Sequence, residues 1–425
     1  MARVAIPGGP RPGRLHRVAR VVVALLSALV LGLTGYGWAQ LNGLLSGLTA
    51  TDVIGRGGDR DGEENILVVG VDSRTDASGR PLPQEVLDRL HAGDSDDGGT
   101  TTDTMLLVHV PADGGSAAVI SLPRDAYVPI ADGWGTHKIN SAFTFGRAAA
   151  VVRLRSAGAT GPVLEIQADA AGARTAIRTV EQLTGVRITH YIALNLVGFH
   201  DLSEAVGGVP VCLNAAVRDS LSGAEFPAGP QTVRGARALA FVRQRHGLEH
   251  GDLDRVRRQQ AFLAGLVRSA LSAGTLADPA ALRRITEALQ GSVTVDQGWD
   301  LTAFTGRLAR IGAGGVVFTT IPVGSLAVQT PTDGVAVQVD PAKVARFVQR
   351  VVADPSAASS PAADAEAATP AAPAGAVPGR PPDGDAGGSP SATPGPARTG
   401  GPSATPGPGR PPPSSFSASA PVCVD

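Results

Sequence analysis

The sequence predicts an α/β protein, an α-β-α sandwich about a central mixed sheet. Three observations carry this: short β-branched runs of strand length, amphipathic stretches of helical period between the later runs, and enough chain around them for one large core. Ile66–Val71, Met105–Val110 and Ala117–Leu122 read as buried strands, joined later by Tyr191–Leu196, Val209–Leu213 and Val316–Ile321. Helices are expected at Ala173–Leu183, Gly198–Ala205, Arg255–Leu271, Ala280–Leu289, Leu301–Ile311 and Pro341–Val352. Together they define a folded unit over residues 62–353.

The flanks have other compositions. Residues 1–20 hold Arg3, Arg11, Arg14, Arg17 and Arg20 with no acid, and Val21–Trp38 carries no charge. Eighteen such residues in a helix reach about 27 Å, close to the hydrocarbon thickness of a bilayer. A transmembrane helix over 21–40 is therefore expected, with residues 1–20 cytoplasmic by the positive-inside rule and all that follows outside the cell membrane. A cleaved signal peptide is the competing reading, but its apolar core is usually shorter, about 7–15 residues, and no good cleavage site is present. Residues 41–61 read as a linker. Residues 354–420 are Pro-, Ala-, Ser- and Gly-rich, with the near-repeats Ser391–Pro396 and Ser403–Pro408, and are expected to be disordered. Residues 421–425, Pro-Val-Cys-Val-Asp, break that pattern.

A formal net charge of −1 excludes the broad cationic field of a general nucleic-acid binder, so any basic site must be local. Two cysteines exclude a disulfide scaffold and a four-Cys zinc site. Cys212 and Cys423 leave two arrangements open, one bridge or two thiols, and the apolar flanks Val422 and Val424 favour the bridge. No Gly-x-Ser-x-Gly elbow, His-Glu-x-x-His, Walker loop or dinucleotide fingerprint is present.

What stands out is acids and arginines at strand ends, where α/β sheets build their sites. The first strand runs into Asp72 and Arg74; Asp103 opens the second; Arg124 and Asp125 follow the third. Arg243 and Arg245, two apart, share one side of an extended segment, and Arg255, Arg258 and Gln259 share a helix face that Asp252 or Asp254 caps. Guanidinium groups gathered in this way repel one another unless an anion joins them, and Arg matches phosphate with paired donors. Two carboxylates beside them suit Mg²⁺, which completes its octahedron with water and phosphate oxygens. Outside a membrane, this points to a lipid-linked pyrophosphate.

In order along the chain, Asn65–Arg74, Thr102-Asp-Thr-Met105, Leu122-Pro-Arg-Asp125, Lys138-Ile-Asn-Ser-Ala142, Gly207-Gly-Val209, Arg243-Gln-Arg245 and Asp252-x-x-Arg255-x-x-Arg258-Gln-Gln260 resemble the motifs of the LytR-CpsA-Psr family in its actinobacterial form. The resemblance implies an α-β-α fold with a hydrophobic pocket. It also implies a Mg²⁺-dependent phosphotransferase that moves a glycopolymer from polyprenyl pyrophosphate onto peptidoglycan. Carried over by position, Asp72 and Asp103 are the metal-binding acids. Arg124, Arg243, Arg245, Arg255 and Gln259 grip the pyrophosphate, and Arg74, Asp252 and Arg258 support them. Leu106, Val119, Ile192, Phe241 and Phe262 are candidates for the lipid pocket, core packing being the plainer role. Two departures are evident: Asp254, where a small residue is usual, and an insertion at Pro81–Gly99 whose Asp94, Asp96 and Asp97 read as a solvated acidic loop. A pyrophosphatase, or a membrane-tethered protein that binds lipid-linked glycan without turnover, would use the same residues.

Overall fold

The structure, a computed structural model, describes residues 48–55, 62–90, 100–219, 222–244, 252–270, 278–311, 315–359, 415–417 and 422–425, with Ser27, Gly35, Ser272, Gly274 and Thr275 singly or in pairs. The predicted anchor at 21–40 apart from Ser27 and Gly35, most of the 41–61 linker, Arg245, the acidic loop at Asp94–Asp97 and nearly all of the 354–420 tail lie outside the described residues. Among the described residues no helix is long and apolar enough to cross a membrane.

The strands are β1 (Thr49–Thr51), β2 (Glu64–Val71), β3 (Thr102–Val110), β4 (Ala117–Ser121), β5 (Ala126–Ile130), β6 (Gly135–Lys138), β7 (His190–Asn195), β8 (Val209–Leu213), β9 (Val217–Asp219), β10 (Ala224–Phe226), β11 (Gly229–Val233), β12 (Val293–Asp296), β13 (Val316–Thr320), β14 (Val328–Gln329), β15 (Val335–Gln338), β16 (Ser415–Ser417) and β17 (Cys423–Val424). The helices are α1 (Gln84–Arg89), α2 (Ser141–Ser156), α3 (Gly161–Thr184), α4 (Leu196–Ala205), α5 (Gly235–Arg243), α6 (Asp252–Ala270), α7 (Pro279–Gln290), α8 (Leu301–Ile311) and α9 (Pro341–Ala353).

The central sheet runs β1-β12-β7-β2-β3-β4-β13-β16 and is mixed, with β7 parallel and β3 antiparallel to β2. Period-two alternation divides its side chains between two cores. Leu67, Val69, Met105, Leu107 and Ile120 face Phe143 of α2, Ile177 and Val180 of α3 and Phe347 of α9. Ile66, Leu106, Val119 and Phe318 face the other way, onto Ala264 of α6, Leu289 of α7 and Phe304 of α8. These are the expected α-β-α layers. A satellite core of Val209, Phe226, Phe241, Phe262 and Val424 unites α5 and α6 with the small sheet β11-β8-β17.

Two local readings are corrected. Arg243 is not in an extended segment but is the last residue of α5, whose apolar face of Leu239, Ala240 and Val242 is buried. Asp254 does not cap α6; it lies inside the first turn and pairs with Arg257 at 2.7 Å. The Pro81–Gly99 insertion contains α1, whose Leu87 packs with Leu90 and Leu239.

Cys212 and Cys423 form a disulfide, and β17 lies parallel on β8 with Cys423 opposite Cys212. The bridge spans 211 residues of sequence. Cross-linking so long a loop restricts the unfolded chain, with an upper value of about 5 kcal/mol on the chain-entropy argument. The Cys423→Ser variant should therefore lose about 2–4 kcal/mol in guanidinium unfolding, and wild-type protein denatured without reductant should titrate no free thiol.

Candidate functional site

The site begins with a slip in a β-ladder. Gly70 of β2 faces Thr104 of β3, but Val71 faces Thr102, which leaves Asp103 as the extra residue of a bulge. Bulges re-aim side chains beside functional sites. Gly70 permits the close approach, since a Cβ there would stand 3.2 Å from Thr104 Cβ. Asp72 follows at the end of β2, and both carboxylates line one cavity of about 490 Å³.

That cavity gathers residues from separate elements. Asp72 and Asp103 come from the β2 and β3 ends, Arg124 from the turn after β4, Arg243 from the end of α5, and Arg255 and Gln259 from α6. Further along β2 its lining becomes Val68, with Leu106 of β3, Leu194 of β7, Phe199 of α4, Leu239 of α5 and Leu263 of α6. Asp72 is four steps along the chain from Val68, about 13 Å at 3.3 Å per residue. The cavity is thus polar at the strand ends and apolar along the strands.

The charges are partly paired. Arg124 binds Asp103 and stands 3.6 Å from Asp125, which also takes Lys138 Nζ at 3.1 Å. Arg74 Nη1 donates to Asp72 Oδ1 at 3.0 Å, and Arg243 Nη1 donates to the Leu90 carbonyl at 3.2 Å. Arg255 is only 5% exposed. Its burial, and then the positive Arg124, bring its pKa down to about 10 against the pull of Asp125 and Asp103, so it stays cationic at neutral pH. Burial raises the Asp72 carboxyl, opposed by Arg74, helped by the like charge of Asp103, and opposed again by Arg243 and Arg124.

Six of the predicted residues, Asp72, Asp103, Arg124, Arg243, Arg255 and Gln259, are therefore brought together. Arg74 stands behind Asp72. Arg258 is not part of the lining: fully buried, it donates to Gln244 Oε1 and to the main-chain oxygen of Asp425. Asp252 opens α6, with its side chain outside the described residues, as Arg245 is entirely. Of the five lipid-pocket candidates only Leu106 lines the cavity; Val119 and Ile192 belong to the sheet core, Phe241 and Phe262 to the satellite core. Sequence reasoning missed Asn195, Asp219 and Phe199. Asn195 had a signal, an Asn directly before an apolar helix, where its Oδ1 now caps Gly198 N.

Among the described residues no three His, Cys, Asp or Glu cluster as a metal site. Asp72 and Asp103 alone suit Mg²⁺, which typically takes one or two carboxylates and draws its other ligands from water and phosphate. Burial chiefly raises the Asp72 carboxyl, and the smaller like-charge contribution of Asp103 is the part that a divalent cation between them would relieve.

These residues make an α-β-α domain with a cleft that is apolar along the strands and holds guanidinium and carboxylate groups at its mouth. The chain belongs to the LytR_cpsA_psr family, whose model matches residues 47–350. It is 41% identical over 360 residues to the cell wall biosynthesis protein LcpA of Corynebacterium glutamicum, covering 83% of this chain and 69% of that one. It is 34% identical over 208 residues, 49% of this chain and 52% of the other, to the polyisoprenyl-teichoic acid–peptidoglycan teichoic acid transferase TagU of Oceanobacillus iheyensis. The crystal structure of protein gbs0355 from Streptococcus agalactiae shares the fold, with a TM-score of 0.50 and 17% identity over 68% of this chain and 88% of that one.

Asp72 yields a prediction with a sign. Its folded pKa lies above the ordinary 3.8, so its ionisation opposes folding. The opposition is full above the raised folded value and fades away as pH falls below the ordinary 3.8. Asp72→Asn should therefore raise the Tm at pH 7, and the gain should disappear when melting is repeated near pH 3.5.

Proposed function

We propose that this chain is a membrane-anchored phosphotransferase of cell-wall assembly, which attaches a glycopolymer carried on polyprenyl pyrophosphate to peptidoglycan through a phosphodiester bond. The observation that carries the reading is the two-part cavity, with Arg124, Arg243 and Arg255 at one end and an apolar lining along β2 and β3. A polyprenyl pyrophosphate has the same two parts. The names of LcpA and TagU, a cell wall biosynthesis protein and a teichoic acid transferase, support it. The uncharged run Val21–Trp38 supports an anchor that keeps the domain at the outer face of the cell membrane.

In this reading the prenyl chain lies against Val68, Leu106, Leu194 and Leu263, and the arginines hold the pyrophosphate with charge-assisted hydrogen bonds. A peptidoglycan hydroxyl attacks the sugar-side phosphorus in line. A new P–O bond forms, the bond to the bridging oxygen breaks, and polyprenyl phosphate departs with that electron pair; the hydroxyl proton passes to the departing phosphate or to water. Negative charge grows on the bridging oxygen, and a fixed guanidinium stabilises it more than it does the ground state. Mg²⁺ held by Asp72 and Asp103 would neutralise part of the same charge. Gln259, one turn from Arg255, presents an amide to the same phosphate oxygens.

The full chain in detergent, given a short polyprenyl-pyrophosphoryl glycan, Mg²⁺ and muropeptides, should yield a phosphodiester-linked glycan by mass spectrometry. Arg255→Ala should lower that yield by about 10²-fold or more without unfolding the domain, and chelator should abolish it. Free glycan phosphate alone would indicate a pyrophosphatase, and intact lipid a binding role.

A further inference from the structure

Helix α1, inside the Pro81–Gly99 insertion, bridges two parts of the site. Leu82 N donates to the Arg74 carbonyl at 2.8 Å, and Thr75 forms a β-bridge with Pro81, so α1 starts from the loop that holds Asp72 and Arg74. Just past its other end, the Leu90 carbonyl accepts from Arg243 Nη1 at 3.2 Å, across 153 residues of sequence. Between the two, Gln84, Glu85 and Asp88 face solvent, while Leu87 is 0% exposed.

The buried side of α1 lies behind a wall of the large cavity. Leu87 and Leu90 pack with Leu239 of α5, and Leu196 and Phe199 of α4 lie against the same group. Leu196, Phe199 and Leu239 also line the cavity, whereas α1 adds no residue to that lining among the described residues. On α5, Leu239 and Arg243 are four apart, on one face and about one 5.4 Å turn from each other. They are where this wall passes from apolar to cationic, and α1 touches both.

An arginine side chain has several rotatable bonds, and freezing it when an anion binds costs affinity. The Leu90 carbonyl fixes one of the five N–H donors of Arg243 before the anion arrives. That carbonyl stands at the end of a helix of only 6 residues, too short to be stable by itself. What holds it is the burial of Leu87 against Leu90 and Leu239.

We propose that α1 is a positioning element for the anion, in which Leu87 anchors the Leu90 carbonyl and thereby sets Arg243. It rests on the reading of this cavity as a pyrophosphate site. Leu87 touches no ligand; it acts through Leu90 on Arg243.

The test is a double-mutant cycle on the full chain in detergent, read as the calorimetric Kd for inorganic pyrophosphate in wild type, Leu87→Ala, Arg243→Ala and the double variant. Leu87→Ala should weaken binding about 5–10-fold where Arg243 is present and less than about 2-fold where it is absent, since the carbonyl then has no guanidinium to hold. Leu87→Met, which keeps the apolar volume, should restore the wild-type Kd. A helix that serves stability alone would lower the Tm and change the Kd equally in both backgrounds, or in neither, and each of those results would overturn the proposal. Should Leu87→Ala fail to fold, Leu87→Val carries the same cycle with a smaller void, and the coupling decides in the same way. A coupled cycle without product in the transfer assay would leave the role of α1 standing and remove the phosphotransferase reading. Wild type that does not bind pyrophosphate would remove both.

Discussion

The structure depends on keeping like charges together out of water. Arg124, Arg243 and Arg255 line one cavity, and Arg255 is almost wholly covered. Each guanidinium loses hydration there and repels its neighbours through a medium of low dielectric. Asp103 and Asp125 offset part of this, since both favour the charged form of Arg255. The arginines are gathered there at the cost of that repulsion. Only a rigid frame can hold such groups without letting them swing into solvent. The frame is the ends of β2, β3 and β4, together with α5 and α6, which approach from other parts of the sequence.

Helix α6 shows how the frame fixes identity residue by residue. At about 100° per residue, Arg255, Gln259 and Leu263 fall within about 80° of one another. All three line the cavity. Arg258 lies about 100° from the centre of that stripe, so the same rotation that presents Arg255 to the cavity carries Arg258 to Gln244 and Asp425. Gln260 sets the rotation: its amide reaches Ser121 Oγ, the Thr319 carbonyl and Thr320 Oγ1, at the ends of β4 and β13. Gly265 sets the distance, because a Cβ there would press to 2.7 Å from the Pro210 carbonyl on β8.

This explains what was legible in the sequence. Strands of continuous apolar residues are visible in composition alone, and Val209–Leu213 and Leu301–Ile311 emerge with the boundaries their patterns gave. Acids and arginines at the ends of those strands were therefore locatable, and Asp72, Asp103 and Arg124 meet there with Arg243, Arg255 and Gln259 from the helices. Arg258 was misplaced because spacing of three or four residues defines a broad sector, and only packing decides which part of it faces a cavity. Arg243 was misplaced because Arg-Gln-Arg reads equally as a strand or a helix end; burial of Leu239 and Val242 settles it as helix. Asp219 carried no signal, since it lies on a three-residue strand.

A cavity between a sheet and one of its helical layers also has a mechanical consequence. Val68, Leu106, Leu194 and Leu263 lack protein partners on one side, and the dispersion contacts that would draw α6 down onto the sheet are reduced there. Left to apolar attraction, the layer would settle into the void. Beside the apolar contacts of Phe262 and Ala264, directional and covalent attachments hold the layer off. Gln260 fastens α6 to two strand ends, Arg258 ties it to Gln244 and Asp425, and the Cys212–Cys423 bridge holds β17, and with it Asp425, on β8. Arg258 is then not a failed ligand contact. Its burial, which with the opposing pull of Asp254 and Asp425 brings its pKa down to about 10, is spent on holding open the space that Arg255 faces.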